Sequence, residues 1–131
     1  MNDDLIRLIR ASDAPVIRYK GQKINAKWQR EHERYDVRVP LRNVACPVLS
    51  IVGSKDVQVK TEHAQAVCDL VQGTCEALII DDMTHILRKT DKEKRMSTIL
   101  NDYKNQVKRP IDPELTAVVG RWLNAWREEA R

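Results

Sequence analysis

The sequence predicts a mixed α/β chain built around a βαβ unit with a short parallel sheet. Three segments predict it. PVLSIVG, Pro47–Gly53, is short, rich in β-branched residues and almost wholly apolar, and it ends on a glycine. EALII, Glu76–Ile80, is a second such run. Strands that read as continuous apolar runs are those buried on both faces, as in parallel sheets covered by helices. Between them lies a helical stretch with Ala64, Val67, Cys68 and Val71 on one stripe, Thr61 as its expected cap and Gly73 as its expected stop. Strand, helix and strand in this order call for a right-handed crossover.

The flanking elements follow from local signals. Leu5, Ile6, Leu8 and Ile9 recur at helical spacing, with Asn2 or Asp3 available to cap the first turn, and Pro15 ends that helix. VIRYKGQKI, Val16–Ile24, has a glycine between two partly alternating runs, which fits a hairpin, although KGQ is a weak turn signal. Ala26–Tyr35 is highly charged and reads as a surface helix anchored by Trp28 and Tyr35. Arg38–Ala45 is a connector. Lys92–Tyr103 reads as a mixed-charge helix. The clearest helix comes last, with Asp112 as cap, Pro113 at the first helical position and an apolar face of Leu115, Val118, Val119, Trp122, Leu123 and Trp126. Gly120 on this helix is expected to permit close packing on the sheet.

Composition narrows the function. At 131 residues, 42% hydrophobic and 32% charged, the chain reads as one small globular domain. No apolar run approaches the roughly 20 residues of a membrane span. The opening MNDDLIRLIR starts acidic and alternates apolar with basic residues, so no signal peptide is expected there. A cytoplasmic location is therefore expected, and Met1 fits a natural start. Cys46, Cys68 and Cys75 show no CxxC spacing, so they are expected to be buried, reduced thiols. No metal site and no cofactor is expected. The net charge is +4, and Arg88–Arg95 is a basic stretch. Asp91 and Glu93 interrupt it and no aromatic is interleaved for base stacking, so a solvated face is expected there, not a nucleic-acid interface. His32 and His63 are expected at the surface.

Two polar residues stand just past the ends of the two apolar strands. Asp56 follows the first in GSKD, and His85 follows the second in DDMTH. In open α/β sheets chemistry collects at this edge. Neighbouring strands lie about 4.8 Å apart, so loops leaving one edge can bring their side chains together. A carboxylate there can accept the imidazole N–H, fix its tautomer and support a general base.

The stretch CPVLSIVGSKDVQV, Cys46–Val59, resembles the segment of α/β-hydrolases that supplies the acid of the catalytic triad, with Asp56 at the position of the acid. LIIDDMTHILR, Leu78–Arg88, resembles the following strand and histidine loop, with His85 at the histidine. The helix from Asp112 resembles the last helix of that fold. The resemblance covers about residues 44–127, and the order acid then histidine matches the family's chain order. It implies a truncated, three-layer hydrolase-like unit over residues 44–131, preceded by a lid-tail-like segment, residues 1–43.

The nucleophile of that family sits before the acid on a G-x-S-x-G elbow. No such motif exists in this chain. Ser12, Ser50, Ser54 and Ser97 lack its context, and Cys46 starts a strand far from the relevant edge. The oxyanion-hole donors belong to the missing portion as well. The expectation is therefore an incomplete triad: a non-catalytic, hydrolase-like remnant or adaptor in which Asp56 and His85 are inherited positions, inactive by itself. The strand at Pro47–Gly53 lacks the neighbour that a complete sheet would give it, and an open apolar edge invites pairing with another chain. A homodimer through this edge is expected. The alternative is one half of a split esterase or acyl hydrolase, completed by an N-terminal hydrolase partner that supplies the nucleophile in trans.

Overall fold

The computed structural model describes residues 3–129, with side chains to Arg127. Within that span the chain is mixed α/β, with six helices and two two-stranded sheets, one antiparallel and one parallel. It divides into two compact units, Met1–Pro40 and Leu41–Arg131.

The first unit holds α1 (Asp3–Ala11), the hairpin β1 (Val16–Tyr19) and β2 (Gln22–Asn25), and α2 (Ala26–Arg34). Of the two proposed caps of α1, Asn2 lies outside the described residues and Asp3 is already helical. The hairpin forms with a two-residue turn, Lys20 and Gly21, both at positive φ. That geometry matches the twist of paired strands. A lysine at the first turn position is why the motif looks weak in sequence. Asn25 caps α2 by accepting the Trp28 N–H at 3.0 Å. Ile9 and Ala26 are the buried apolar residues of this unit. Arg30 links its parts by donating to the carbonyls of Ile9, Asp13 and Ala14.

The short helix α3 (Arg38–Leu41) leads into the second unit. There β3 (Val48–Gly53) pairs in parallel with β4 (Cys75–Ile80), in the register Val48 to Cys75 through Gly53 to Ile80. The crossover helix α4 (Glu62–Cys68) packs against both strands. Ala77 and Ile79 of β4 line a recess with α4, whereas Glu76 and Leu78 line a cleft with α6 (Pro113–Glu129). Alternate side chains of a strand point to opposite faces, so the two helices cover opposite faces of the strand pair. The buried apolar residues here are Val52, Ala64, Ile80, Met83 and Ile99, the last on α5 (Met96–Gln106).

Several local expectations need correction. Thr61 stands at the N-cap position of α4 as expected, but it has helical dihedrals and makes no side-chain capping bond. α4 stops at Cys68, five residues before Gly73. Gly73 serves a different end: a Cβ there would lie 2.1 Å from the Cys46 carbonyl oxygen, so only glycine lets the connection run this close to the entry of β3. α5 begins at Met96, not Lys92, because the preceding residues run as irregular chain and Arg95 is extended. A Cβ on Gly120 would meet nothing within 4 Å, so this glycine mediates no close packing. The cysteines are not three reduced thiols. Cys68 and Cys75 form a disulfide, and the free Cys46 is exposed. The end of α4 and the start of β4 bring the two Cα atoms to 5.2 Å, a proximity that sequence spacing does not express. Among the described residues, no helix is long and apolar enough to cross a membrane.

Candidate active site

Both predicted site residues lie on loops that leave the same end of the parallel strands. β3 ends on the buried pair Val52 and Gly53, and the chain turns at once, with the Asp56 N–H bonded to the Gly53 carbonyl at 3.0 Å. β4 ends on Ile80, and Asp82 then takes a left-handed conformation. The tip of the second loop is closed by Thr84 N–H to Arg88 O and Leu87 N–H to Thr84 O, both at 2.9 Å. Met83 and Lys89 form an antiparallel bridge beneath it. Asp82 and Leu87 are two of the three non-glycine residues at positive φ among those described. Each such residue costs roughly 1–2 kcal/mol, and such strain concentrates where a loop is held for a purpose.

The two loops are fastened to each other. A Cβ on Gly53 would lie 2.0 Å from the Met83 carbonyl oxygen, so glycine is required for the acid strand to meet the histidine loop. The Lys55 backbone N–H donates to that same carbonyl at 3.0 Å. The Lys55 ammonium reaches across to the Thr90 carbonyl at 2.8 Å and to the Asp82 carboxylate at 2.9 Å. The hydrogen bond and charge of Lys55 hold the Asp82 carboxyl below its ordinary pKa. The Asp82 N–H in turn donates to Ser54 Oγ at 2.8 Å.

This framework brings Asp56 and His85 together. His85 Nδ1 lies 2.9 Å from Asp56 Oδ2. The other carboxylate oxygen accepts the backbone N–H groups of Gln58 at 2.7 Å and Val59 at 2.9 Å. Burial pushes the Asp56 carboxyl up. The donations from Val59 and Gln58, then the hydrogen bond and charge of His85, outweigh it and hold the pKa below the ordinary carboxylate value. Asp56 is therefore ionised near neutral pH and can only accept, so Nδ1 is the ring nitrogen that donates to it, and Nε2 is left free of that contact. The Asp56 side chain is 6% exposed and that of His85 43%. The acid is enclosed while the imidazole is open to solvent, and among the described residues nothing else bonds to the ring.

The serines stand apart from a nucleophile's position. Ser50 is inside β3, and Ser97 is in the first turn of α5. Ser54 Oγ is engaged with the Asp82 N–H. Ser12 Oγ accepts the Ala14 N–H. Cys46 precedes β3, at the end opposite Asp56. His32 stacks on Trp28 with ring centroids 4.9 Å apart, and both His32 and His63 are exposed. No group of three His, Cys, Asp or Glu among the described residues is arranged to hold a metal ion.

A recess of about 430 Å³ borders Asp56, walled by Gln58, Val59, Lys60, Thr61 and Met96. A larger cleft, about 540 Å³, lies elsewhere, where Val48 and Cys75 at the starts of the strands face Trp122 and Trp126. The supporting residues Ser54, Lys55, Asp82, Thr84 and Thr90 carry no sequence signal beyond their nearness to Asp56 and His85, because their roles depend on contacts between loops. No family model matches this sequence, and comparison with curated proteins and with solved structures returned no match.

Proposed function

We propose that this chain is an α/β-hydrolase-like remnant that acts as a binding or adaptor module and self-associates, and that it does not turn over substrate alone. One observation carries the reading: an ordered Asp56–His85 pair whose imidazole is open to solvent, with no G-x-S-x-G elbow in the sequence to use it and with Ser54, the serine that follows β3, engaged by the Asp82 N–H. A histidine held this way can accept a proton from a bound hydroxyl or thiol, with Asp56 stabilising the imidazolium. Without a nucleophile that capacity serves binding. Self-association is supported by the sheet. Among the described residues β3 has β4 as its one strand neighbour, which leaves its other edge open to a second copy.

A second reading is favoured by the rigidity of the pair. The cross-loop bonds of Lys55 and Ser54 and the tightness at Gly53 hold a geometry that a split serine hydrolase would need, in which Asp56 and His85 serve a nucleophile supplied by a second polypeptide. Esters or other acyl compounds would be its substrates. Neither reading calls on a metal or cofactor. The cytoplasmic placement remains part of the proposal, and Cys68–Cys75 bears on it, because a reducing cytosol would keep both thiols open.

Light scattering of the purified chain, combined with ester hydrolysis assays, tests both readings. The expected result is a dimer mass with no turnover that depends on His85. Turnover by the isolated chain that disappears in His85→Ala defeats the remnant reading. A strictly monomeric mass defeats self-association. Turnover that appears only on mixing with an N-terminal hydrolase polypeptide favours the split enzyme.

A further inference from the structure

The histidine loop rests on a second set of polar groups that the Asp56–His85 contact does not involve. Thr84 and Gln106 are both 0% exposed, and Thr90 is 3% exposed. The Thr84 hydroxyl donates to Gln106 Oε1 at 2.6 Å, with the Arg88 carbonyl a more distant acceptor at 3.1 Å. Gln106 Nε2 donates to Asp102 Oδ2 at 2.9 Å. The Thr90 hydroxyl donates to that same oxygen at 3.0 Å. Asn105 Nδ2 reaches Asp102 Oδ1 at 3.3 Å, and Arg109 stands 3.8 Å from the carboxylate. The direction of the chain is unambiguous. An ionised Asp102 can only accept, so the amide nitrogen of Gln106 faces it and the amide oxygen faces Thr84.

The placement of these groups is informative. Thr84 precedes His85 directly. Thr90 lies on the returning arm of the same loop and offers its carbonyl to Lys55 of the acid loop. Asp102 and Gln106 are one turn apart on α5, so a single helix face grips both arms of the loop. Ile99, one turn earlier, is fully buried and apolar. Apolar side chains at 102 and 106 would have sufficed for packing. Buried polar groups are costly unless every partner is present, and here the partners are present. What a satisfied network adds over apolar contact is direction. It fixes the rotamer of Thr84, and with it the peptide that carries His85, in the way that supporting shells orient functional histidines elsewhere.

We propose that Thr84 and Gln106 are positioning residues for His85, through which α5 holds the histidine loop where Nδ1 meets Asp56. The proposal rests on reading Asp56–His85 as the functional pair, and the test separates the two claims. The measurement is the ring-proton NMR of His85 in the full chain, following the Nδ1 proton that bonds to Asp56 and its exchange with water. In Thr84→Val, which removes the hydroxyl at nearly constant volume, and in Gln106→Leu, that exchange quickens by about tenfold, the factor expected for loss of one buried hydrogen bond. Thr84→Ser restores the donor and stays within about twofold of the wild type. Should Gln106→Leu fail to fold, the comparison of Thr84→Val with Thr84→Ser decides alone. A lowered melting temperature with an unchanged His85 proton in Thr84→Val means the network is merely structural and overturns the proposal. A wild-type chain that lacks the bonded proton altogether refutes the reading of the pair, and the positioning role with it.

Discussion

The two ends of the parallel strand pair are built on opposite plans. At the end where the strands finish, two loops meet through backbone and charged side chains. Gly53 touches the Met83 carbonyl, Lys55 spans to Thr90 and Asp82, and Asp56 holds His85. At the end where they start, a disulfide joins Cys68 to Cys75, and a cleft of about 540 Å³ separates the strands from Trp122 and Trp126 of α6. No α6 side chain described is fully buried, and Leu123 on its apolar face is 54% exposed. One end therefore gains order from directional bonds whose geometry has one solution. The other is held by the disulfide, by the close approach of Gly73 to the Cys46 carbonyl and by backbone bonds from Val48, Gln72 and Gly73. All of these fix the chain without bringing titratable side chains together, and α6 packs only loosely over it. A site belongs at the first.

Substitutions break this contrast in a definite order. Gly53→Ala should have the largest effect. Its new Cβ meets backbone, which cannot rotate away, so we expect a loss of about 3 kcal/mol in denaturant unfolding. A wild-type midpoint in this variant would show that the two loops are not packed as described. Opening Cys68–Cys75 by Cys68→Ser should come next, costing about 2 kcal/mol, the loop-entropy value for a crosslink of short span. A melt repeated with reductant should converge on the same value.

Asp56→Asn should cost about 1–2 kcal/mol at neutral pH, since the amide keeps one acceptor but loses charge-assisted bonds. The pH dependence has a fixed sign. The folded pKa of Asp56 is depressed, so its stabilising contribution is fully present above the unfolded value and is lost as pH falls through the folded one. The gap between wild type and variant should stay flat near neutrality and close below about pH 4. A gap that persists at low pH would mean that the carboxylate charge is not what the fold uses. The smallest change expected is a gain. Gly120→Ala meets open space within α6 and should raise stability by up to about 1 kcal/mol, measurable as a higher melting temperature. A loss would mean that α6 packs more tightly than the cleft indicates.

The legibility of the chain follows the range of the forces involved. β3 and β4 are readable because each is a short apolar run rich in β-branched residues, although Ile79 of β4 stays 55% exposed. α6 is readable because Asp112 and Pro113 act within one turn, and Asp112 Oδ1 does accept the Glu114 N–H at 3.0 Å. Asp56 and His85 are readable as neighbours because both follow strands of one parallel pair. Lys55, Thr84 and Gln106 are not readable. Their partners lie 35 residues away for Lys55 with Thr90 and 22 for Thr84 with Gln106, and no local pattern encodes such a distance. Cys68 and Cys75 are close in sequence, yet their pairing depends on where α4 stops, and Gly73 places that end five residues too late.

The sequence by itself determined the α/β character, the parallel strands, the terminal helix and the candidacy of Asp56 and His85, because hydrophobic periodicity, capping and strand order act over short stretches of chain. Only the tertiary structure decided that His85 Nδ1 meets an enclosed carboxylate, that Lys55 and Gly53 lock the two loops, and that Thr84 leans on Gln106. Those arrangements come from hydrogen bonds and close contacts between segments far apart in the chain, whose strength depends on distance and direction that only the folded backbone supplies.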